Sequence, residues 1–170
     1  LTLTPVIFYE NSSQEEIKPD VRKLLKNKLL RIVSENGLAS AALNDKHIIF
    51  PDVQILTKDV LPTYPPKVSM KLEVSFYIAD FDSKVIFASE SFEYTGVGNN
   101  DKKAIYNALK RVKQNDRMET FLNKGKQGIL DYYNQNCDII LRDAVVKSNS
   151  GREKEALMTL TRIPLESIDC

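Results

Sequence analysis

His47 is the only histidine in 170 residues, so chemistry that moves a proton near neutral pH, or grips a transition metal through imidazole, must pass through it. A zinc site gathers three or four nitrogen, sulfur or carboxylate ligands. No second histidine exists, no cysteine stands near in sequence, and Cys137 and Cys170 are the only two thiols. A Ser-His-Asp or Cys-His device would need the same imidazole, and neither a nucleophile elbow nor a cysteine signature accompanies it. As the first residue of a strand, His47 is expected at the surface. Asp80 and Asp82 flank Phe81. Paired carboxylates can do acid-base work or hold calcium, but this loop lacks the further oxygen ligands of a calcium loop. Aspartates in a hairpin turn are explained by their bonds to nearby amides. Gly96-Val97-Gly98-Asn99-Asn100 stands between a strand and a helix, as a phosphate-cradling turn would. The third glycine and the acidic residue of a βαβ unit are missing, so the glycines are expected to serve a turn with positive backbone angles. Tyr132-Tyr133 offers a stacking platform, although at helical spacing with Ile129 and Cys137 at least one ring belongs to the core. No catalytic, cofactor-binding or metal-ligating residue is assigned, no cofactor is called for, and the chain is expected not to be an enzyme.

The elements that position these residues follow from hydrophobic period. Val68, Met70, Leu72, Val74, Phe76 and Ile78 alternate with mostly polar residues, the pattern of a half-buried strand. Asp80 to Ser83 turns the chain, and Lys84 to Thr95 forms the second arm. In that arm the apolar parity changes between Phe87 and Phe92, which predicts a bulge near Ala88 to Ser91. Thr2 to Tyr9 reads as a strand, Asn11 to Glu16 as polar loop, and Ala39 to Asp45 as a connector. Lys46 to Thr57 reads as a strand in which Pro51, lacking an N–H, implies an edge, a bulge or a break.

Helical stripes fill the rest. Pro19 suits a first turn, Val21, Leu25, Leu29 and Ile32 form an apolar face, and Gly37 is the expected stop. Ala104, Ile105, Ala108 and Leu109 predict a helix from about Asp101. After Asn115 or Asp116 as cap, a long stripe from Met118 to Ala144 predicts a helix from Arg117 which, unbroken to Lys147, measures roughly 45 Å at about 1.5 Å per residue, with Gly125 and Gly128 as weak points. A last helix runs from Arg152 to about Arg162, stopped by Pro164. The fold class is α+β: a mainly antiparallel four-stranded sheet with helices on one side (1–114), then a helical hairpin arm (115–170). Ala144 and Ala156 let the two arms approach as in one tetratricopeptide-type unit.

Composition is that of an ordinary globular chain, with 42% hydrophobic and 28% charged residues. A net charge of +1, from 24 basic and 23 acidic residues, supplies no global field, so no nucleic-acid partner is expected. No apolar run is long enough to span a membrane. The order of residues from Leu56-Thr57-Lys58-Asp59-Val60 and Pro65-Pro66, through Leu72 to Ile78 and Gly96 to Asn99, to Ile129-Leu130-Asp131-Tyr132-Tyr133-Asn134, Glu155-Ala156-Leu157 and Ile163-Pro164, resembles a family of exported or virion structural proteins of Bacteroidota and their crAss-like phages. The resemblance implies an exported, periplasmic or envelope location, with a signal peptide in the complete reading frame, or alternatively a ring at a portal or tail. It brings no activity and no functional residue. A non-enzymatic protein–protein interaction module that self-associates is the expectation, with the strand edge near Pro51 or the helical arm as contact surface. A small-molecule site at Gly96 to Asn100 is the rival.

Overall fold

The computed structural model describes residues 1–8, 19–39, 46–167 and 170; the predicted loop 11–16 and most of the connector 39–45 lie outside them. The elements are β1 (Thr4–Pro5), α1 (Pro19–Glu35), β2 (His47–Leu61), β3 (Lys67–Asp80), β4 (Ile86–Gly98), α2 (Asp101–Leu109), α3 (Asp116–Asn149) and α4 (Glu153–Leu160). They form an α+β fold whose sheet has the order β1-β2-β3-β4. β2, β3 and β4 pair antiparallel, but β1 runs parallel to β2 through Thr4↔Ile48 and Pro5↔Ile49. The sheet is therefore mixed, which corrects the antiparallel expectation at its first edge. The cause lies in the chain path: α1 carries the chain back between β1 and β2, and a crossover of that kind joins parallel neighbours.

Alternation sets the two faces of the sheet. Met70, Leu72, Val74, Phe76 and Ile78 of β3 are all at most 1% exposed. Opposite them lie Ile49 and Val53 of β2, with Phe92 and Tyr94 of β4. The helices cover this face. Phe76 meets Phe92 at 5.7 Å and Phe121 of α3 at 6.5 Å between ring centroids, and Met118, Leu122 and Ile129 enter the same core. Each such side chain contributes about 1.5–3 kcal/mol by leaving water. The first half of α3 is thus sheet core, while its second half extends to meet α4.

Glycine explains how closely the helices sit. Gly96 and Gly98 do not have positive φ; Gly37 and Gly151 do, each just past a helix end. The expected turn role for Gly96 and Gly98 is thus corrected. A Cβ on Gly96 would stand 2.1 Å from the Ala104 carbonyl oxygen and 2.3 Å from the Ala108 nitrogen, and one on Gly98 2.5 Å from the Ala104 nitrogen. The pair exists so that α2 can lie backbone to backbone on β4. Gly125 and Gly128 do the same for α3: added Cβ atoms would meet Ile78 and the Phe87 carbonyl. α3 runs unbroken through both over 34 residues, about 51 Å at ~1.5 Å per residue, because tight packing on the sheet offsets their poor helix propensity.

Local irregularities are placed by pairing. Ile78 faces Ala88 but Ala79 faces Ile86, so the bulge falls at Phe87, just before the predicted stretch. A second bulge, at Leu56, separates Ile55↔Leu72 from Thr57↔Lys71. β1 reaches only as far as Ile49, whose carbonyl accepts from Val6, so Pro51 lies on a strand edge as its missing donor implies.

Candidate functional site

The antiparallel pairing of β2 with β3 puts His47 directly opposite Asp80. His47 is 8% exposed, with the rings of Tyr133 and Phe87 edge-on at 5.8 and 6.0 Å. The expected surface position is corrected, because α3 crosses over this end of the strand and lays Tyr133 on it. Asp80, 5% exposed, accepts from the backbone amides of Asp82 and Ser83, both at 2.8 Å. This is the Asx turn that the residue type predicts. Asp82 lies between the ammonium of Lys46 at 2.9 Å and the guanidinium of Arg162 at 3.0 Å. The hairpin turn is thereby fastened to the segment that follows α4.

Between the turn, α3 and α4 lies a cavity of about 210 Å³. Asp80, Ser83, Thr159 and Arg162 form its polar wall, and Tyr132 and Tyr133 its aromatic one. Ile139, Ile140 and Asp143 complete the side belonging to α3. Lys147 pairs with Asp143 and donates to the Thr159 hydroxyl at 2.9 Å. Burial, reinforced by the negative charge of Asp80, pushes the Tyr133 phenol well above its ordinary range. Four features that the sequence offers separately, His47, the Asp80–Asp82 turn, Tyr132 and Tyr133, therefore meet at one end of the sheet. The signal was available only through hairpin register, since Arg162 and Thr159 have no sequence mark of their own.

The Gly96–Asn100 turn stands apart from this cluster. The Asn100 side chain accepts from the Lys103 amide and caps α2. Beside it, a shallow cavity of about 260 Å³ is lined by Asp20, Asn100, Lys102, Lys103 and Tyr106. Its charges answer one another: Lys102 pairs with Asp20 at 2.7 Å and, through that hydrogen bond, holds the carboxyl below the usual range. Lys103 sits 5.2 Å over the Tyr106 ring. Among the described residues, no cluster of three or more His, Cys, Asp or Glu is placed to hold a metal ion.

The two sheet edges differ. Along β4, Arg117 donates to the Ser91 carbonyl at 3.0 Å and pairs with Glu90, while Asn107 donates to the Val97 carbonyl at 2.8 Å. Side chains from α2 and α3 thus cover that edge. Along β2, every residue from Gln54 to Val60 is exposed. Among them Val60 is 68% exposed, and Tyr64 in the following loop is fully so. Cys137 of α3 is joined to Cys170 by a disulfide. No described helix is long and apolar enough to cross a membrane.

No family model and no curated protein matches the chain. Among solved structures, it is similar to a protein of Caulobacter crescentus CB15 provisionally described as a lipoprotein, with a TM-score of 0.44 and 9% identity over 74% of this chain and 88% of that one. It is also similar to a minor lipoprotein of Acinetobacter baumannii, with a TM-score of 0.41 and 12% identity over 72% and 90%. A Helicobacter pylori homolog of a neuraminyllactose-binding hemagglutinin, likewise provisionally described, has a TM-score of 0.39 and 13% identity over 74% and 82%.

Proposed function

We propose that this chain is a non-enzymatic interaction module of an exported, envelope-associated protein, and that the outer edge of β2 is its contact strand. The unequal treatment of the two sheet edges carries the reading. Proteins blunt the edges they do not use, because an open row of N–H and C=O groups recruits further strands. On β4, Arg117 and Asn107 occupy the carbonyls of Ser91 and Val97, whereas seven consecutive residues of β2 stay exposed, with Ile55, Leu56 and Val60 among them. Addition of a strand at such an edge gains backbone hydrogen bonds without requiring a preformed pocket.

The occupant is a second copy of the chain. Antiparallel pairing about a two-fold axis sets each residue opposite its own copy or one an even number of positions away, and past the bulge at Leu56 a pairing centred on Lys58 places Thr57 opposite Asp59 in both directions. Lys58, which then faces its own copy, has its charge answered by Asp101 of α2. Export is supported by the Cys137–Cys170 bond, since disulfides persist in oxidising compartments. The α3–α4 hairpin, with Ala144 and Ala156 buried between its helices, is read as one tetratricopeptide-like unit. Sedimentation equilibrium across a wide concentration range tests the reading: reversible dimerisation supports it, and a monomer at every concentration contradicts it.

A further inference from the structure

We propose that the cavity beneath the hairpin turn binds an alkylammonium group, with Asp80 as its counter-ion. The inference does not depend on the β2 edge. Of Asp80, Asp82 and Asp143, the described carboxylates around this cavity and turn, two are already paired: Asp82 with Lys46 and Arg162, Asp143 with Lys147. Asp80 is the most buried of the three, at 5% exposed, and it lines the cavity. Its Oδ1 takes two backbone amides, and no cation of the described residues lies within ion-pair distance of it. A buried carboxylate held only by neutral donors gains most from an incoming positive charge.

The rest of the wall selects the kind of cation. A primary ammonium has three N–H donors and no acceptor, and the cavity presents acceptors in the Asp80 carboxylate and the Ser83 hydroxyl, the Thr159 hydroxyl being engaged with Lys147 and the Glu155 carbonyl. The faces or edges of Tyr132 and Tyr133 border the same space, and aromatic faces attract cations. Ile139 and Ile140 provide an apolar bed for a short methylene chain. At about 210 Å³ the cavity is smaller than the ~300–1,000 Å³ of sites for drug-sized ligands, which suits a linear amine of a few carbons or one lysyl side chain. Arg162 in the same wall, its charge answered by Asp82, suits a chain whose other end is neutral or anionic.

Isothermal titration of the full chain with cadaverine and, separately, with Nα-acetyl-lysine amide tests the assignment, with glutarate as the oppositely charged control. The expected result is saturable binding of at least one amine and none of glutarate, with the tighter amine identifying a free diamine or a lysyl residue as the source. Asp80→Asn keeps an oxygen for the two turn amides and removes the charge; it is expected to weaken amine binding about tenfold or more with an unchanged circular dichroism spectrum. Should that variant misfold, methyl shifts of Ile139 and Ile140 on amine addition to the unaltered chain locate the site instead. Absence of saturable amine binding, equal binding of glutarate, undiminished binding by folded Asp80→Asn, or shifts that spare both isoleucines would each overturn the proposal.

Discussion

At the scale of single residues, glycine and tyrosine make the sharpest demands. Gly96 lies where α2 touches β4 backbone to backbone, so a methyl group there cannot be absorbed by a rotamer change. Gly96→Ala is expected to destabilise the fold by about 3 kcal/mol or more, read from urea unfolding at constant slope, by the overpacking that backbone neighbours cannot relieve. Gly125→Ala meets the movable tip of Ile78 instead and is expected to cost distinctly less. Tyr94 is the opposite case: its hydroxyl is buried without a hydrogen-bond partner among the described residues. Burial pushes this phenol up to about 12, against a smaller opposing effect of the Arg117 charge. A raised folded-state value for an acid means the folded state holds its proton longer. The associated stability is complete below the ordinary phenol value near 10 and is lost as pH climbs from there toward about 12. Tyr94→Phe is therefore expected to be neutral or stabilising by up to about 1 kcal/mol at pH 7, and to flatten the alkaline decline of thermal stability between pH 10 and 12. A steeper decline in the variant would contradict this account. Sequence showed Gly96 and Gly98 plainly but not their purpose, because a close approach between helix and strand depends on tertiary placement and a turn is the local alternative.

At the scale of elements, legibility followed the range of the interactions. The start of α1 at Pro19, the stop at Gly37 and the cap at Asn115, whose side chain accepts from the Met118 amide at 2.9 Å, are made by residues within a turn of one another. They could be read directly. Asn115→Ala is expected to cost about 1 kcal/mol, measured by thermal unfolding. The period of β3 was equally clear, because Met70 to Ile78 must all face the helices. The bulge in β4 was legible from its change of apolar parity, one residue away from where it falls, but the brevity and parallel pairing of β1 and the burial of His47 were not, since each is decided by a partner distant in sequence. The same holds for the cysteines: 33 residues separate Cys137 and Cys170, yet their Cα atoms lie 5.4 Å apart. This bond and the hydrogen bond between Ser167 and Asn134 fasten the segment after α4 to α3. Closing a loop of this length contributes about 3.7 kcal/mol in chain-entropy terms. Cys137→Ser is expected to lower the melting temperature by several degrees, and dithiothreitol to lower that of the parent chain but not of the variant. A parent chain whose melting ignores the reductant would show that the bond does not hold the tail.

At the scale of the molecule, a curled layer of four strands carries helices on one face and leaves its two edges in different conditions, one with carbonyls taken by Arg117 and Asn107 and the other exposed from Gln54 to Val60, where Lys58 reaches Asp101 of α2. Sequence pointed to the Pro51 strand as an edge through the missing N–H of proline. It could not show that the far edge is capped, because Arg117 and Asn107 reach it from helices. The cavity under the hairpin turn was likewise invisible, being assembled from β3, the β3–β4 turn, α3 and residues after α4. The central claim is that the exposed edge pairs with its own kind, and sedimentation equilibrium of the parent chain beside Thr57→Asp tests it most directly. The account predicts a concentration-dependent dimer that weakens about tenfold when Thr57→Asp sets aspartate against Asp59 across the two-fold axis. A parent chain that stays monomeric throughout, or a dimer indifferent to Thr57→Asp, would contradict it.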